Sequence, residues 1–417
     1  MAKNVKRKRI VKCRHAFWAS VLRPTAGKIV LHQNSFHASM NHLKKSGPYL
    51  IIGNHTADAD PILMDSVFDF PIYFVASDQL LNQGFTSALL KYFFAPIGKT
   101  KSLPDITVIT TIKRILNEGG SVGIFVEGNV TMTGETVSIP PAIGKLIKML
   151  NVPVIFFISH GLNFVNPRWS VFRKHGPTRG AITRILAPSE YKDLSGDEMT
   201  ALVRKEIYVN AYDKDPKIEY KGKRIAEGLE RLVFVCPKCH QPFGLTTEGE
   251  HLHCSKCGFV GTYDTHGYLQ SELGAQTLIE LNAQTLKSWV EYLKRHPETK
   301  LDDAAKIFFS FERRKKRFRK GRHTFELNQE GVIVHRWLFP DEKFAFADII
   351  GFAMQRKNVM IVYFRNNVTV FVKFKSNVST YQYLATLQIF QNQYQFKKGD
   401  IDYDYFAHDD AYTRLGL

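Results

Sequence analysis

The sequence predicts an α/β fold with a mainly parallel sheet in its first half, followed by a small metal-binding ribbon and a C-terminal α+β domain. From residue 49 to about residue 212, continuous apolar runs alternate with helical stretches, which is typical of a parallel sheet covered by helices. Four of the five cysteines form two Cys-x-x-Cys pairs, and short β-like runs follow one another beyond residue 321. A chain of 417 residues is too long for one ordinary hydrophobic core, so two or three domains are expected.

Residues 1–48 are predicted to form a basic arm that faces a membrane. No Asp or Glu precedes Asp58, whereas eleven Lys and Arg do, and the whole chain carries a formal charge of +18. With Phe17 and Trp18 among them, these residues suit an anionic bilayer surface, where each basic residue contributes about 1 kcal/mol. A disordered basic tail leading into a first core helix is an equal alternative. Nucleic acid is a weaker one, because no groove-reading motif accompanies the arm.

No stretch reaches the ~18 to 20 apolar residues that a transmembrane helix needs. The apolar residues after the first basic run are broken by Arg23, Pro24 and Lys28, which is unlike a secretory signal. We therefore expect a cytoplasmic protein that is peripheral on the inner face of the cell membrane.

Residues 49–222 are expected to form the first domain. Strands are predicted at 49–52, 72–76, 123–126 and 154–159, and helices at 103–117 and 141–150. Motifs at the ends of parallel strands meet at one edge of the sheet, where ligands bind. The charge-rich segment 213–223 is the expected hinge.

The first strand is followed by Asn54-His55 and, after four intervening residues, by Asp60-Pro61. An imidazole titrates near neutral pH, and a carboxylate on its second ring nitrogen fixes the tautomer and stabilises the imidazolium. His55 and Asp60 therefore predict a general base. Asp58 lies inside the motif and is expected to be exposed.

A second apolar run ends in Glu127-Gly128, and together the two strand ends resemble the glycerolipid acyltransferase superfamily, most closely lysophosphatidate acyltransferases of bacterial type. The resemblance covers residues 15 to 212. Four blocks match in order and spacing: Asn54-His55 with Asp60-Pro61; Pro96-Ile97-Gly98-Lys99-Thr100-Lys101 with Asp105; Phe125, Glu127 and Gly128; and Val152-Pro153-Val154-Ile155.

This resemblance implies that His55 and Asp60 are catalytic. It also implies that Glu127 and Gly128 shape the acceptor side and that Lys99 and Lys101 hold a phosphate. The donor would be acyl-coenzyme A or acyl-acyl-carrier protein. The acceptor would be 1-acyl-sn-glycerol-3-phosphate, and no catalytic cofactor is required, since the thioester is already activated.

Two departures leave the acceptor open. Val126 stands where the family has proline, and Val130 stands where it has arginine. Another lysolipid or a glycolipid alcohol is therefore an alternative acceptor. A second alternative is an inactive protein that binds nucleic acid or membranes through its ribbon.

The ribbon is predicted at residues 223–270. Two Cys-x-x-Cys pairs fourteen residues apart offer four thiolates to one ion, which predicts a structural Zn²⁺ site with no open coordination position. His240 and His253 are expected at the surface. The four ligands are Cys236, Cys239, Cys254 and Cys257.

Residues 271–320 are expected to be a helical and basic linker, with a helix over 270–295 and a basic block over 311–320. Residues 321–417 are expected to form a β domain with a closing helix over 379–393. Its arrangement resembles a pleckstrin-homology-like domain in topology only. The expected strands are 324–327, 332–338, 343–346, 360–364 and 369–375, with a hairpin turn at Asn366-Asn367.

Overall fold

A computed structural model describes residues 9–38, 47–77, 81, 85–99, 106–311, 317–336 and 338–401. The chain divides into two compact units that interleave along the sequence. Unit 1 comprises residues 1–130, 138–162 and 177–210; unit 2 comprises residues 131–137, 163–176 and 211–417.

Unit 1 is built on a mainly parallel sheet, as the sequence predicts. Its described strands have the spatial order β1-β7-β6-β2-β5-β3-β4. All neighbouring pairs are parallel except β6 and β7. The strands are β1 (Phe36–Ala38), β2 (Leu50–Gly53), β3 (Ile72–Ser77), β4 (Ile97–Lys99), β5 (Ser121–Phe125), β6 (Val154–His160) and β7 (Thr178–Leu186).

Helices cover both faces of this sheet, because its central strands are apolar on both sides. On β2, Leu50 and Ile52 belong to one buried cluster, whereas Ile51 belongs to another. The helices are α1 (Cys13–Leu22), α2 (Lys28–Gln33), α3 (Asp60–Asp65), α4 (Phe85–Phe94), α5 (Ile106–Asn117), α6 (Ile143–Leu150), α8 (Pro188–Tyr191) and α9 (Gly196–Ile207), with α7 (Leu162–Val165) where the chain passes between units. A π-helical turn, Arg23–Gly27, joins α1 to α2.

The first part of unit 2 is a five-stranded antiparallel sheet that carries the cysteine pairs. Its strands are β8 (Leu245–Glu248), β9 (His251–Cys254), β10 (Val260–Tyr263), β11 (Leu269–Ser271) and β12 (Gly274–Gln276). Helix α10 (Leu278–Arg295) follows. It begins with a capping box, in which Thr277 Oγ1 accepts from Glu280 N and Glu280 Oε2 accepts from Thr277 N.

A second antiparallel sheet in unit 2 has the described order β16-β15-β14-β13-β19-β18-β17, and α11 (Thr380–Lys398) closes the domain. Its strands are β13 (Leu301–Phe311), β14 (Arg317–Asn328), β15 (Gly331–His335), β16 (Glu342–Ala345), β17 (Ile349–Gln355), β18 (Val359–Phe364) and β19 (Val368–Phe374). One continuous core joins this sheet to the ribbon.

Several predicted boundaries differ from this division. Segments 131–137 and 163–176 lie in unit 2, so a cut at residue 222 does not separate the units. The predicted linker 271–320 contains β12, α10, β13 and the start of β14. The basic block next to 301–311 obscures the strand pattern in the sequence; of this block, residues 317–320 lie on β14, which pairs with β13. Within the described part of the chain, no helix has the length and apolarity that a membrane span requires.

Unit 2 also buries a lysine. Lys174 is 1 % exposed, and its Nζ lies 4.4 Å from the ring centroid of Trp169 and 5.0 Å from that of Tyr263. Among the described residues, its Nζ has no hydrogen-bond partner. Burial, with a smaller contribution from Lys357, lowers the pKa of Lys174 to about 7.

Candidate active site and metal centre

The candidate active site lies at the edge of the unit 1 sheet where β2 and β5 end. These strands are parallel neighbours, and Gly53 pairs with Phe125 at their last shared position. The chain continues from β2 into Asn54-His55 and from β5 into Val126-Glu127. Sheet topology therefore brings the first and third sequence blocks together.

His55 and Asp60 form the predicted pair. His55 Nδ1 lies 2.9 Å from Asp60 Oδ2, and the Asp60 side chain is 2 % exposed while that of His55 is 18 % exposed. The same Oδ2 accepts hydrogen bonds from the main-chain N–H groups of Thr56, at 2.6 Å, and Ala57, at 2.9 Å. With Nδ1 donating to the carboxylate, Nε2 is the acceptor nitrogen, which is the tautomer a general base needs.

The imidazole ring is held from a second direction by Phe125. The two rings stack with centroids 4.6 Å apart and planes inclined by 23°. Phe125 itself stacks on Phe74 of β3, at 6.1 Å. The end of β5 therefore fixes the orientation of the base as well as the position of Glu127.

The side chain of Glu127 contacts the main chain of His55. Its Oε1 accepts a hydrogen bond of 2.6 Å from the His55 N–H, and the residue is 7 % exposed. The sequence suggested a contact with the acceptor; the structure shows that one carboxylate oxygen holds the peptide that carries the imidazole. Gly128 follows with φ +71°, a conformation that glycine adopts without strain.

Two further site residues, Thr56 and Ser159, were not identified from the sequence. Asn54 Nδ2 donates to Ser159 O and Asn54 Oδ1 accepts from Ser159 N, both at 2.9 Å. The Thr56 hydroxyl lies 3.2 Å from Ser159 Oγ and donates to Asp60 Oδ1 at 3.3 Å. A serine near the end of the very apolar β6 was the available signal, since buried hydroxyls need partners.

Of the two lysines predicted to hold a phosphate, the structure describes Lys99. Lys99 is exposed at the end of β4. Strand β4 is at the edge of the sheet and is separated from β2 by β5 and β3, a distance of about 14 Å at ordinary strand spacing. Lys101 lies outside the described residues. Asp58 is exposed, as expected, and Val126 and Val130 are buried.

The four ribbon cysteines form a compact cluster in unit 2. Their Sγ atoms all lie within 4.8 Å of one another, with Cys236 and Cys257 at 3.7 Å and Cys239 and Cys254 at 3.9 Å. A tetrahedral Zn²⁺ with four thiolates requires sulfur separations of about 3.8 Å. Burial raises the pKa of the Cys236 thiol, which a bound cation would reverse. The cluster therefore fits a metal ion; His240 is exposed and His253 is partly exposed, and neither belongs to it.

One comparison with known protein families matches part of unit 1. Residues 36–158 match the family model described as Acyltransferase. No curated protein matches. Among solved structures, the chain is similar to the crystal structure of PlsC, the 1-acyl-sn-glycerophosphate (LPA) acyltransferase from Thermotoga maritima, at 12% identity and a TM-score of 0.34; the match covers 46% of this chain and 94% of that one. Residues 36–158 are therefore similar to the Acyltransferase family, and the His55–Asp60 pair lies within this matched segment.

Proposed function

We propose that this protein transfers a fatty acyl group from acyl-coenzyme A or acyl-acyl-carrier protein to the free hydroxyl of 1-acyl-sn-glycerol-3-phosphate, giving phosphatidate for phospholipid biosynthesis. The observation that carries the proposal is the hydrogen-bonded His55–Asp60 pair within the segment that matches the acyltransferase family.

In this mechanism, His55 Nε2 takes the proton of the acceptor hydroxyl as its oxygen attacks the thioester carbonyl carbon. Asp60 stabilises the imidazolium through Nδ1–H. The attack forms the new C–O bond and a tetrahedral intermediate; its collapse re-forms the carbonyl and breaks the C–S bond, and the imidazolium proton neutralises the departing thiolate. General-base help of this kind contributes about 10²- to 10⁴-fold to the rate.

The test measures free-thiol release from palmitoyl-coenzyme A and palmitoyl-acyl-carrier protein, with lysophosphatidate in liposomes and lipid products identified by mass spectrometry. Wild type should form phosphatidate, and His55→Ala should lose at least about 100-fold in kcat. His37→Ala removes an exposed histidine of unit 1 and is the matched control. Wild-type levels of phosphatidate from folded His55→Ala would refute the mechanism.

A second acceptor class has its own support. Val130 is apolar and 8 % exposed at the position where the family resemblance places an arginine, and Lys99 lies away from the pair. An alcohol without a phosphate, on another lysolipid or a glycolipid, is compatible with these residues. The same assay with a panel of such acceptors distinguishes the two classes. Absence of turnover with every acceptor and donor would favour the inactive binding-protein alternative.

We also propose that the protein is peripheral on the inner face of the cell membrane. Exposed side chains of unit 1 support contact with a bilayer surface. Helices α1 and α4 expose Phe17, Tyr92 and Phe94 by 59, 47 and 37 %, and the Arg14 guanidinium lies 4.5 Å from the Tyr92 ring centroid. Exposed aromatic side chains beside cations suit the interface of an anionic bilayer. Co-sedimentation with anionic and neutral vesicles tests this location.

In unit 2 we propose a structural Zn²⁺ held by Cys236, Cys239, Cys254 and Cys257, supported by their sulfur separations. When bound, the ion would link the segment before β8, which carries Cys236 and Cys239, to the end of β9 and the turn after it, which carry Cys254 and Cys257, and it would supply no step of the chemistry. The seven antiparallel strands and α11 support a pleckstrin-homology-like arrangement for residues 301–398.

A further inference from the structure

We propose that Thr56 and Ser159 are positioning residues of the acyl transfer, whose hydroxyl groups form a relay that holds the Asp60 carboxylate in the orientation His55 needs. This inference rests on the proposed role of His55 as the base. Neither residue belongs to the four sequence blocks, and both are buried.

The two oxygens of Asp60 have unequal surroundings. Oδ2 receives three N–H donors, from His55 Nδ1 and from the main chain of Thr56 and Ala57. Oδ1 receives the hydroxyl of Thr56, at 3.3 Å. A carboxylate held only through Oδ2 could turn about its Cβ–Cγ bond, so the hydroxyl on Oδ1 is the contact that fixes the plane of the group.

Ser159 orients the Thr56 hydroxyl in turn. The two hydroxyl oxygens are 3.2 Å apart. Ser159 Oγ also lies 3.2 Å from Asn54 Oδ1, an amide oxygen that can only accept. Since Thr56 uses its single proton toward Asp60, the Ser159 hydroxyl is the donor between the two hydroxyls, and its proton is shared between Thr56 Oγ1 and Asn54 Oδ1. The direction of donation is then Ser159 to Thr56 to Asp60, and hydrogen bonds in such a chain polarise one another.

Ser159 is itself held in place by the sheet. Strands β2 and β6 pair as far as Gly53 and Phe157, and the Asn54 side-chain amide continues the pairing by bonding to both main-chain groups of Ser159. The relay therefore connects the orientation of Asp60 to the register of two central strands. Removal of the Ser159 hydroxyl takes away its bond to Asn54 Oδ1 but leaves the two Asn54 bonds to the Ser159 main chain.

Burial makes the hydroxyls difficult to replace. Thr56 is 5 % exposed, and Ser159 and Asp60 are each 2 % exposed. A buried carboxylate oxygen that loses its donor is not resolvated by bulk water, and hydrogen bonds to charged groups are among the stronger ones.

Steady-state kinetics of a variant series tests the relay. Thr56→Val should lower kcat about 10- to 100-fold with KM within about twofold, since the hydrogen bond serves a charged group. Thr56→Ser keeps the hydroxyl and should recover most of the rate. Ser159→Ala should lower kcat by a smaller factor, and Thr56→Val/Ser159→Ala should be no slower than Thr56→Val, because Ser159 acts through Thr56. Ser66→Ala, which removes a hydroxyl bonded to Leu63 O at the other end of α3, is the matched control.

Equal losses for Thr56→Val and Thr56→Ser, additive losses in the double variant, or a raised KM with unchanged kcat would overturn the proposal. Histidine-selective ¹⁵N NMR provides a readout without substrate. The Nδ1 proton of His55, assigned by its absence in His55→Ala, should shift in Thr56→Val and Ser159→Ala and not in Thr56→Ser or Ser66→Ala. If wild type acylates no acceptor, the proposed function fails, and this resonance still decides whether the relay exists.

Discussion

Glu127 illustrates how a residue within a recognised motif can act through the main chain. Its Oε1 bonds to the peptide N–H of His55, so an acceptor atom at this position matters more than a negative charge. We predict that Glu127→Gln, which retains an oxygen at the same distance, keeps kcat within about threefold of wild type. Glu127→Ala leaves a buried N–H without its partner and should lower kcat about tenfold. Phosphatidate formation measures both. Equal losses in the two variants would show that the charge is what the site uses.

Lys174 gives a prediction about stability and pH. Its pKa is about 7 in the folded protein, against 10.5 for an ordinary lysine, so unfolding takes up a proton between these values. This group therefore makes the free energy of unfolding rise as pH increases from about 7 to about 10.5. We expect Lys174→Met to remove this slope and to raise the melting temperature at pH 7, because the apolar side chain still packs on Trp169 and Tyr263.

Thermal melts at pH 7, 8 and 9 measure this effect. Lys373→Met, at an exposed position of β19, is the control and should leave the slope unchanged. A lower melting temperature for Lys174→Met at every pH would show that the ammonium is stabilised by its aromatic neighbours despite its burial.

At the residue scale, the sequence identified the groups that carry charge and missed those that orient them. His55 and Asp60 were predicted because their chemistry and spacing are distinctive. Thr56 and Ser159 were not, because a hydroxyl at the end of an apolar strand has many ordinary explanations. Ser159 follows the His55–Asp60 motif by roughly a hundred residues in the sequence, and only the pairing of β2 with β6 brings the two together.

Among the elements, the cysteine cluster is the best place to test a ligand. Cys236 and Cys254 belong to the continuous core of unit 2, so the ribbon is not an independent appendage. We predict about one equivalent of Zn²⁺ per chain by elemental analysis. Chelation or Cys254→Ser should lower the melting temperature of unit 2 by many degrees, since binding free energy contributes to folding. Cys13→Ser changes an exposed cysteine outside the cluster and should alter neither quantity. A metal-free wild type with an unchanged melting temperature would exclude a structural ion.

The central strands β2, β3, β5 and β6 and the helices α5 and α6 were predictable because periodicity differs clearly between buried parallel strands and amphipathic helices, whereas the outer strands β1, β4 and β7 were not predicted. Strand β6 was expected over 154–159 and spans Val154–His160; α6 was expected over 141–150 and spans Ile143–Leu150. Prediction was poorer over 271–320. Strands β13 and β14 pair there, although much of β13 is apolar and the start of β14 is basic. Basic residues on a strand look like a loop when only composition is considered.

For the whole molecule, the interleaved units change what truncation should do. A chain ending at residue 222 retains 163–176 but lacks the partners of that segment, such as Glu227, whose carbonyl accepts from Val171 N, and Met354, whose carbonyl accepts from Arg168. It would also expose Trp169, which is 1 % exposed in the full chain. We predict that this truncation aggregates or is degraded during expression, and that limited proteolysis of the intact protein gives no stable fragment ending near residue 222. A soluble fragment 1–222 with full acyl transfer would contradict this prediction.

The two excursions of the chain into unit 2, at 131–137 and 163–176, also set an order of events during synthesis. Both segments leave the ribosome before any residue of 211–417 exists, although their contacts are with that later part of the chain. Unit 1 is nearly complete once residue 210 has emerged, whereas these segments must wait for roughly another 150 residues before Met354 appears. At elongation rates of about 5 to 20 residues per second, this wait lasts from about 7 to about 30 seconds. During that interval Trp169 lacks the ring of Tyr263, against which it packs in the full chain, so we expect the nascent chain to expose an aromatic segment that a chaperone can bind.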